Sequence, residues 1–147
     1  MDRFPALAAG AVLFEDEAII AVDKPVFVPS QAVREGGDEL PARVRRWLRE
    51  RDGKDVSLGI HQRLDALTSG VVVFAKNEVG NRELASAFEG RTVVKRYLAV
   101  VHGRGQPPEG LLEDRLLHER GVTHVDARGE PSACTVTLVE RLSLIHI

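Results

Sequence analysis

One acidic residue, Asp65, stands in a turn-forming segment immediately before a run of apolar residues. Arg63 precedes it by two positions, and Thr68, Ser69 and Gly70 follow it in the stretch GIHQRLDALTSGVVVFAKN. Ser, Thr and Gly favour tight turns. A carboxylate presented on such a turn can act as a nucleophile or as a base. The same carboxylate can instead cap local backbone N–H groups and pair with Arg63, and the spacing alone leaves both interpretations open.

Two leucines flank the acidic residue. Leu64 and Leu67 alternate with polar positions, so we expect both to anchor the loop on apolar contacts while Arg63 and Asp65 face outward. A loop that is held in this way can keep a reactive group in a fixed position.

Short apolar runs around this loop predict strands. The β-branched run at residues 18–22, closed by Asp23-Lys24-Pro25, is typical of a buried strand that enters a turn. Residues 70–75 predict a second buried strand, and residues 133–138 alternate cleanly as another. Residues 92–101 are also rich in strand-forming types, although their alternation is imperfect.

A basic helix is predicted after Gly36-Gly37, with Asp38 as a candidate N-cap. The apolar positions at helical spacing are Leu40, Val44, Trp47 and Leu48, and the outer face carries Arg43, Arg45, Arg46 and Arg49. Residues 41–55 hold six basic and three acidic side chains, a local charge of +3. This face is either a solvated surface with ion pairs or a phosphate-contacting surface to which Arg45 and Arg49 contribute.

A second helix is predicted over residues 78–89. Asn77 can cap its start, Gly90 would end it, and Leu84, Ala87 and Phe88 face inward. Because strands outnumber helices and are not regularly separated by them, the sequence predicts an α+β domain with a mainly antiparallel or mixed sheet.

Composition excludes several classes of protein. The 147 residues, 44% of them hydrophobic and 29% charged, are typical of one soluble globular domain, and the net charge of −2 gives no general attraction to nucleic acid. A single cysteine, Cys134, cannot form an internal disulfide, and the five histidines are scattered rather than spaced for zinc. The interrupted apolar N-terminus is unlike a signal peptide or a membrane span. We therefore expect a cytoplasmic protein without a bound metal or a membrane partner.

Four ordered blocks resemble the RluA-like pseudouridine synthases. They are AIIAVDKPVFV at residues 18–28, HQRLD with TSG at 61–70 followed by aliphatic residues and AKN, KRYLAVVHG at 95–103, and GEPSACT at 129–135. Together they span about residues 19–138, and four blocks in order are far more specific than one. The chain departs from the family pattern at Gln62, which separates His61 from Arg63, so that a role for His61 is not carried over.

The resemblance implies an isomerase that breaks the N1–C1′ bond of a uridine in RNA and rejoins the ring through C5 without a cofactor. Asp65 would be the catalytic carboxylate, and Tyr97 would stack on the uracil, although a core aromatic on a strand is the other interpretation of Tyr97. Because the target base must leave its stack, Arg63 would enter the gap or contact the flipped nucleotide. Thr68 would also contact the substrate. The RNA would be a stem-loop of ribosomal or transfer RNA.

The resemblance also implies a single catalytic domain over residues 1–147, without an N-terminal S4-type domain. The family continues into a T-G-R-T-H-Q-I-R block whose second Arg pairs with the carboxylate, whereas this sequence ends LSLIHI, so we expect it to be cut short. Two other functions remain open: a non-catalytic or inactive RNA-binding fragment, and a hydrolase that uses Asp65. The hydrolase is disfavoured because no G-x-S-x-G or H-E-x-x-H motif is present.

Overall fold

A computed structural model describes residues 7–31, 38–101 and 108–140. Within the chain, residues 1–96 and residues 97–147 form two compact units, here called the first and second units. Antiparallel sheet is present in both, and two α-helices belong to the first, so the predicted α+β class is confirmed. The Gly36-Gly37 break, most of the loop expected at residues 103–110 and the apolar C-terminal stretch lie outside the described residues.

The first unit is built on a four-stranded antiparallel sheet in the order β1-β2-β4-β3. Its strands are β1 (Val12–Glu15), β2 (Ile19–Lys24), β3 (Gly59–Ile60) and β4 (Gly70–Ala75). β2 and β4 pair along their whole length, from Ile19 opposite Ala75 to Lys24 opposite Gly70. The end of β2 therefore lies beside the start of β4, where the Asp65 segment enters the sheet.

Helix α1 (Leu40–Asp52) supplies one side of the core of the first unit. Its apolar face joins one buried cluster with side chains of β2 and β4, and the cluster comprises Ile20, Val22, Val28, Leu40, Val44, Leu48, Leu58, Val72 and Phe74. Trp47 packs at the edge of this cluster, where the Arg51 guanidinium lies 4.5 Å from the ring centroid. The predicted apolar face of α1 is confirmed.

Two expectations for the start of α1 are wrong. The N-cap is Glu39 rather than Asp38, and its side chain makes no capping hydrogen bond. Arg43, expected on the outer face, is 3% exposed and donates to both carboxylate oxygens of Asp38. A buried guanidinium requires a hydrogen-bonded partner. Because the Asp38 carboxylate binds Arg43, it is not available to cap the start of α1.

Helix α2 (Glu78–Glu89) begins as the sequence predicts. The side-chain oxygen of Asn77 accepts a hydrogen bond from the Gly80 amide at 2.9 Å, which is an N-cap. Gly90 follows the last helical residue but keeps a right-handed φ of −72°, and Arg91 takes the left-handed conformation at φ 53°. The inward face expected for α2 is partly buried.

The second unit contains a three-stranded antiparallel sheet in the order β6-β5-β7. Its strands are β5 (Gly110–Glu119), β6 (Val122–Val125) and β7 (Glu130–Val136). β5 and β6 are joined by Arg120 and Gly121, whose positive φ values of 52° and 81° are those of a type I′ hairpin turn. β7 confirms the strand predicted near residues 133–138, although it begins and ends earlier.

Residues 92–101 form no strand, contrary to the prediction. Strand-forming residue types favour a ladder only where a neighbouring strand can pair with them. Among the described residues, no sheet includes this segment, and the side chains of Val94 and Leu98 are more than 80% exposed.

Candidate active site

The loop at residues 61–69, between β3 and β4, carries Arg63, Asp65 and Thr68. The Thr68 amide donates to the Asp65 carbonyl at 3.0 Å and closes a turn over residues 65–68. Gly70 then enters β4 with φ 134°, a conformation that side-chain-bearing residues rarely adopt. The structure thus places three of the predicted site residues on one loop, with Asp65 and Thr68 at the two ends of its turn, and Gly70 lets the loop run directly into the sheet.

The residue before Asp65 is held by a buried serine. The Ser30 hydroxyl donates to the Leu64 carbonyl at 2.6 Å and accepts from the Leu64 amide at 3.0 Å. The Leu64 side chain also packs against the core cluster. Both the backbone and the side chain of Leu64 are therefore fixed.

The residue after Asp65 is held by the turn that follows β2. The Ala66 carbonyl accepts from the Phe27 amide at 2.6 Å and from the Lys24 ammonium at 3.3 Å. Burial lowers the pKa of Lys24, and the negative charge of Asp65 acts in the opposite direction. Sequence reasoning missed Lys24 as a contributor to this loop, although its place at the end of a buried strand was visible.

The expectation that both flanking leucines anchor the loop is wrong for Leu67, which is 71% exposed. Leu64 packs on the core, but hydrogen bonds to the Ala66 carbonyl replace the second apolar contact. The loop is therefore fixed mainly through its backbone.

Asp65 and Arg63 are exposed on this fixed loop. Within the described residues, neither side chain forms a hydrogen bond or an ion pair, so the surface pair between them is not formed. The Asp65 carboxylate is accessible from solvent while its two neighbours in the chain are tied down. This combination suits a carboxylate that must meet a ligand in a defined position.

His61, the first residue of the loop, contacts side chains of helix α2. Its Nε2 lies 2.8 Å from the Asn81 side-chain oxygen, and its ring stacks on Phe88 with centroids 6.5 Å apart. Gly59 permits this approach, because a Cβ at that position would lie 2.1 Å from the same Asn81 oxygen. These contacts give His61 a structural role at the entrance to the loop.

Arg45 and Arg49 lie on α1, and both take part in ion pairs. Arg45 is 3.6 Å from Glu39, and Arg49 is 3.4 Å from Asp55. The solvated face with ion pairs is therefore present, although 42% of the Arg45 side chain and 58% of the Arg49 side chain remain exposed. Partly exposed guanidinium groups keep N–H donors available for another anion.

Tyr97 belongs to the second unit and is 67% exposed. It lies in no strand, so the interpretation of this residue as a core aromatic is wrong.

In the parts of the chain that the structure describes, no three His, Cys, Asp or Glu residues are grouped to hold a metal ion. No helix in those parts is long and apolar enough to cross a membrane.

Residues 18–143, which are more than half of the chain, match the family model described as RNA pseudouridylate synthase. Ribosomal large subunit pseudouridine synthase C of Haemophilus influenzae is 32% identical over 135 residues, covering 88% of this chain and 41% of that protein. An uncharacterised RNA pseudouridine synthase of Mycobacterium bovis is 37% identical over 113 residues, covering 75% of this chain and 37% of that protein. The chain spans about two fifths of the length of these relatives.

A solved structure of human RNA pseudouridylate synthase domain containing 4 has the same fold. It superposes with a TM-score of 0.66 at 19% sequence identity, covering 84% of this chain and 51% of that one.

Proposed function

The chain belongs to the RNA pseudouridylate synthase family, and from that premise we propose that it isomerises uridine to pseudouridine in RNA. One observation carries the proposal. In the HQRLD and TSG block, the Asp65 carboxylate is exposed on a loop whose backbone is hydrogen-bonded at the residues immediately before and after it.

The proposed reaction breaks the N1–C1′ bond of a uridine and forms a C5–C1′ bond. The C5 proton is lost to solvent, and N1 gains a proton, so no oxidant, reductant or cofactor is needed. A carboxylate can serve this reaction by attacking C1′ of the sugar or C6 of the ring and leaving again, or by removing a proton from the sugar. Asp65 is the residue to which we assign this role.

The uridine must leave the stacked RNA before its glycosidic bond can be broken and its ring turned. We assign Arg63 to the emptied stack or to the phosphate of the flipped nucleotide, which a planar guanidinium suits. Its exposure on the same loop as Asp65 supports this role. Thr68, on the same turn, would contact the nucleotide, and Tyr97 would stack on the uracil as aromatic rings commonly do with unpaired bases.

The substrate we propose is ribosomal RNA in the cytoplasm. The support is the name of the relatives in Haemophilus influenzae and Rickettsia typhi, which is ribosomal large subunit pseudouridine synthase C. Transfer RNA is the other stem-loop substrate to test.

Unmodified transcripts of large-subunit ribosomal RNA and of transfer RNA, labelled with tritium at uridine C5, test the proposal. Isomerisation replaces the C5–H bond, so tritium appears in water only where a uridine has reacted. We expect release from the ribosomal transcript by the wild-type chain and none by Asp65→Asn. Asp114→Asn, an exposed carboxylate on β5, is the matched control and should react at the wild-type rate. No release from either RNA by the wild-type chain would overturn the proposal.

Arg45 and Arg49 are proposed to contact RNA phosphates. Replacing both with Glu should weaken RNA binding and reduce the dependence of affinity on salt, because each phosphate contact contributes about one unit to the salt slope. Their existing acidic partners predict a modest effect, since Glu39 and Asp55 already compete for them. Filter binding at several salt concentrations measures how the affinity for RNA depends on salt. An unchanged slope would show that Arg45 and Arg49 do not contact RNA.

A further inference from the structure

The positive charge of helix α1 is largely compensated in the folded chain. Residues 41–55 carry the most basic stretch that the sequence analysis identified, yet every arginine of α1 lies in an ion pair with a carboxylate. These arginines are Arg43, Arg45, Arg46, Arg49 and Arg51. A charge that already has a partner offers less to an added anion, so the free positive charge of the first unit must lie elsewhere.

Residues 91–96, here called the basic segment, carry such free charge. Arg91, Lys95 and Arg96 are exposed, and within the described residues none of their side chains forms a hydrogen bond or an ion pair. Residues 90–101 contain no acidic residue, although the net charge of the whole chain is −2. The N–H donors of these three cations are therefore available to an anion.

The start of the basic segment is fixed to the end of α2. The Arg91 amide donates to the Phe88 carbonyl at 3.2 Å, and the Thr92 amide and hydroxyl donate to the Ala87 carbonyl at 3.0 Å and 3.2 Å. Arg91 takes the left-handed conformation, at φ 53°, that commonly ends a helix. Beyond Thr92 the described backbone lies in no helix or strand. The basic segment thus leaves α2 in a defined direction with its charged side chains in solvent.

The same end of α2 contacts the start of the Asp65 loop. The Phe88 ring stacks on His61 with centroids 6.5 Å apart, and His61 lies two residues before Arg63. The contact between Phe88 and His61 therefore places the start of the basic segment beside the loop that carries Asp65.

An RNA strand supplies the anion that fits this surface. A nucleotide that is flipped out of its stack stays joined to its neighbours, so the phosphates on either side of it remain close to the loop. A guanidinium can donate two parallel hydrogen bonds to a phosphate, and free backbone N–H groups also bind phosphates. Each such contact releases counterions from the RNA, which makes binding strongest at low salt.

We propose that the basic segment is an RNA-backbone site, in which Arg91 and Arg96 bind phosphates that flank the nucleotide at Asp65 and Lys95 adds positive charge. The proposal rests on the proposed function, because it takes RNA as the substrate. Phosphate contacts hold the strand rather than the uracil ring. Their loss should therefore raise KM and leave kcat nearly unchanged.

Arg91→Gln combined with Arg96→Gln removes two of the three charges. Filter binding to the unmodified large-subunit ribosomal transcript, with Asp65→Asn added so that no uridine reacts, measures the effect on affinity. We expect the slope of log affinity against log salt to fall by about 1.4–1.8, because each phosphate contact contributes about 0.7–0.9, and the affinity at low salt to fall about tenfold. With Asp65 retained, tritium release should show KM raised about tenfold and kcat within about twofold of wild type.

Arg115→Gln combined with Arg120→Gln is the matched control. Both arginines are exposed, belong to the second unit and make no side-chain ion pair in the part of the chain that the structure describes. This variant changes the net charge by the same amount and should leave the salt slope unchanged. Arg91→Lys combined with Arg96→Lys keeps both charges and should retain the wild-type slope, because counterion release depends on charge.

Two results would overturn the site. One is an unchanged salt slope for Arg91→Gln with Arg96→Gln together with a lowered Tm, which would show that these cations only stabilise the partly negative C-terminal end of α2. The other is an equal fall in slope for the second-unit control, which would show a response to net charge alone. The binding measurement needs no reaction. An inactive wild-type chain that still loses salt-dependent binding through Arg91 and Arg96 would therefore overturn the isomerase function and support the RNA site.

Discussion

The two units of the chain bury their side chains to very different degrees. In the first unit, side chains of β2, β4 and α1 such as Val22, Val44 and Phe74 are completely removed from solvent. In the second unit, Gly129 is the only buried residue among positions 97–101 and 108–140, and Leu111 and Val125 are more than 60% exposed. A small sheet needs a packed apolar face for stability of its own. The first unit has such a core, and the second has little of one in the described residues.

This difference explains why the candidate site can be precise. The Asp65 loop is tied to the turn after β2, and that turn continues from a strand whose apolar side chains are buried in the core. A loop is only as well positioned as the elements that it contacts. The first unit therefore supplies both the carboxylate and the rigidity that its chemistry needs.

The largest effect that we predict is the loss of stability when a core side chain of the first unit is truncated, compared with a truncation in the second unit. Phe74→Ala removes a completely buried ring from the first unit and should lower the free energy of unfolding by about 3–5 kcal/mol. Leu116→Ala, on the partly exposed strand β5, should lower it by less than about 1 kcal/mol. Urea denaturation followed by far-ultraviolet circular dichroism, to which the strands of both units contribute, measures both losses.

Equal losses of stability for Phe74→Ala and Leu116→Ala would contradict this comparison. They would mean that the side chains of the second unit contribute to folding as much as those of the core cluster.

A smaller effect is predicted for the cap of α2. Asn77→Ala removes the acceptor for the Gly80 amide and should destabilise the first unit by about 1 kcal/mol. Ser132→Ala is the control in the second unit, because that hydroxyl makes only a local contact with the Glu130 carbonyl. Denaturation of both variants measures the difference. A stability of Asn77→Ala equal to that of Ser132→Ala would argue against the cap.

The smallest effect concerns acid stability. Arg51 and Lys76 bind the Glu15 carboxylate, and the hydrogen bond from Arg51 has the largest share in lowering the pKa of Glu15 from 4.5 to about 2. The folded state thus holds this carboxylate ionised more strongly than the unfolded chain does. The resulting stability is present above pH 4.5 and is lost as the pH falls towards 2. Solvent screens the half-exposed Arg51, so we expect less than about 1 kcal/mol.

Denaturation of wild type and Glu15→Gln between pH 7 and pH 2 measures the contribution of the Glu15 ion pairs to stability. The difference in free energy of unfolding between the two proteins should shrink as the pH falls. Asp126→Asn is the control in the second unit: Arg128, two residues away, lowers the pKa of Asp126 through a local contact at a turn. That local pair should leave the unfolding curve of the first unit unchanged. A pH-independent difference for Glu15→Gln would show that its ion pairs do not contribute as described.

Structural features that depend only on residues close together in the chain were predictable from the sequence. The Asn77 cap, the strand at Gly70–Ala75 and the turn around Asp65 each follow from residue types within a few positions. The β5–β6 hairpin was missed, although Arg120-Gly121 between two apolar stretches was a usable signal for a type I′ turn.

Features that depend on distant partners were not predictable. The buried Arg43 binds the Asp38 carboxylate, which therefore does not cap α1. In the second half of the Asp65 loop, hydrogen bonds to the Ala66 carbonyl replace the apolar contact expected of Leu67. Lys24 looked like an ordinary residue of a strand end, because only the folded chain shows which carbonyls surround its ammonium. Such contacts are fixed by tertiary packing, on which local residue patterns carry no information.

The most direct test of the central claim compares wild type with Asp65→Glu and Asp65→Asn in tritium release from labelled ribosomal RNA. Asp65→Glu keeps the carboxylate but moves it by about one bond length, a displacement of order 1 Å that can cost about 100-fold in rate. We predict that Asp65→Asn is inactive, that Asp65→Glu is slowed about 100-fold, and that both bind RNA like wild type. Wild-type rates from Asp65→Asn would show that this carboxylate does not perform the reaction.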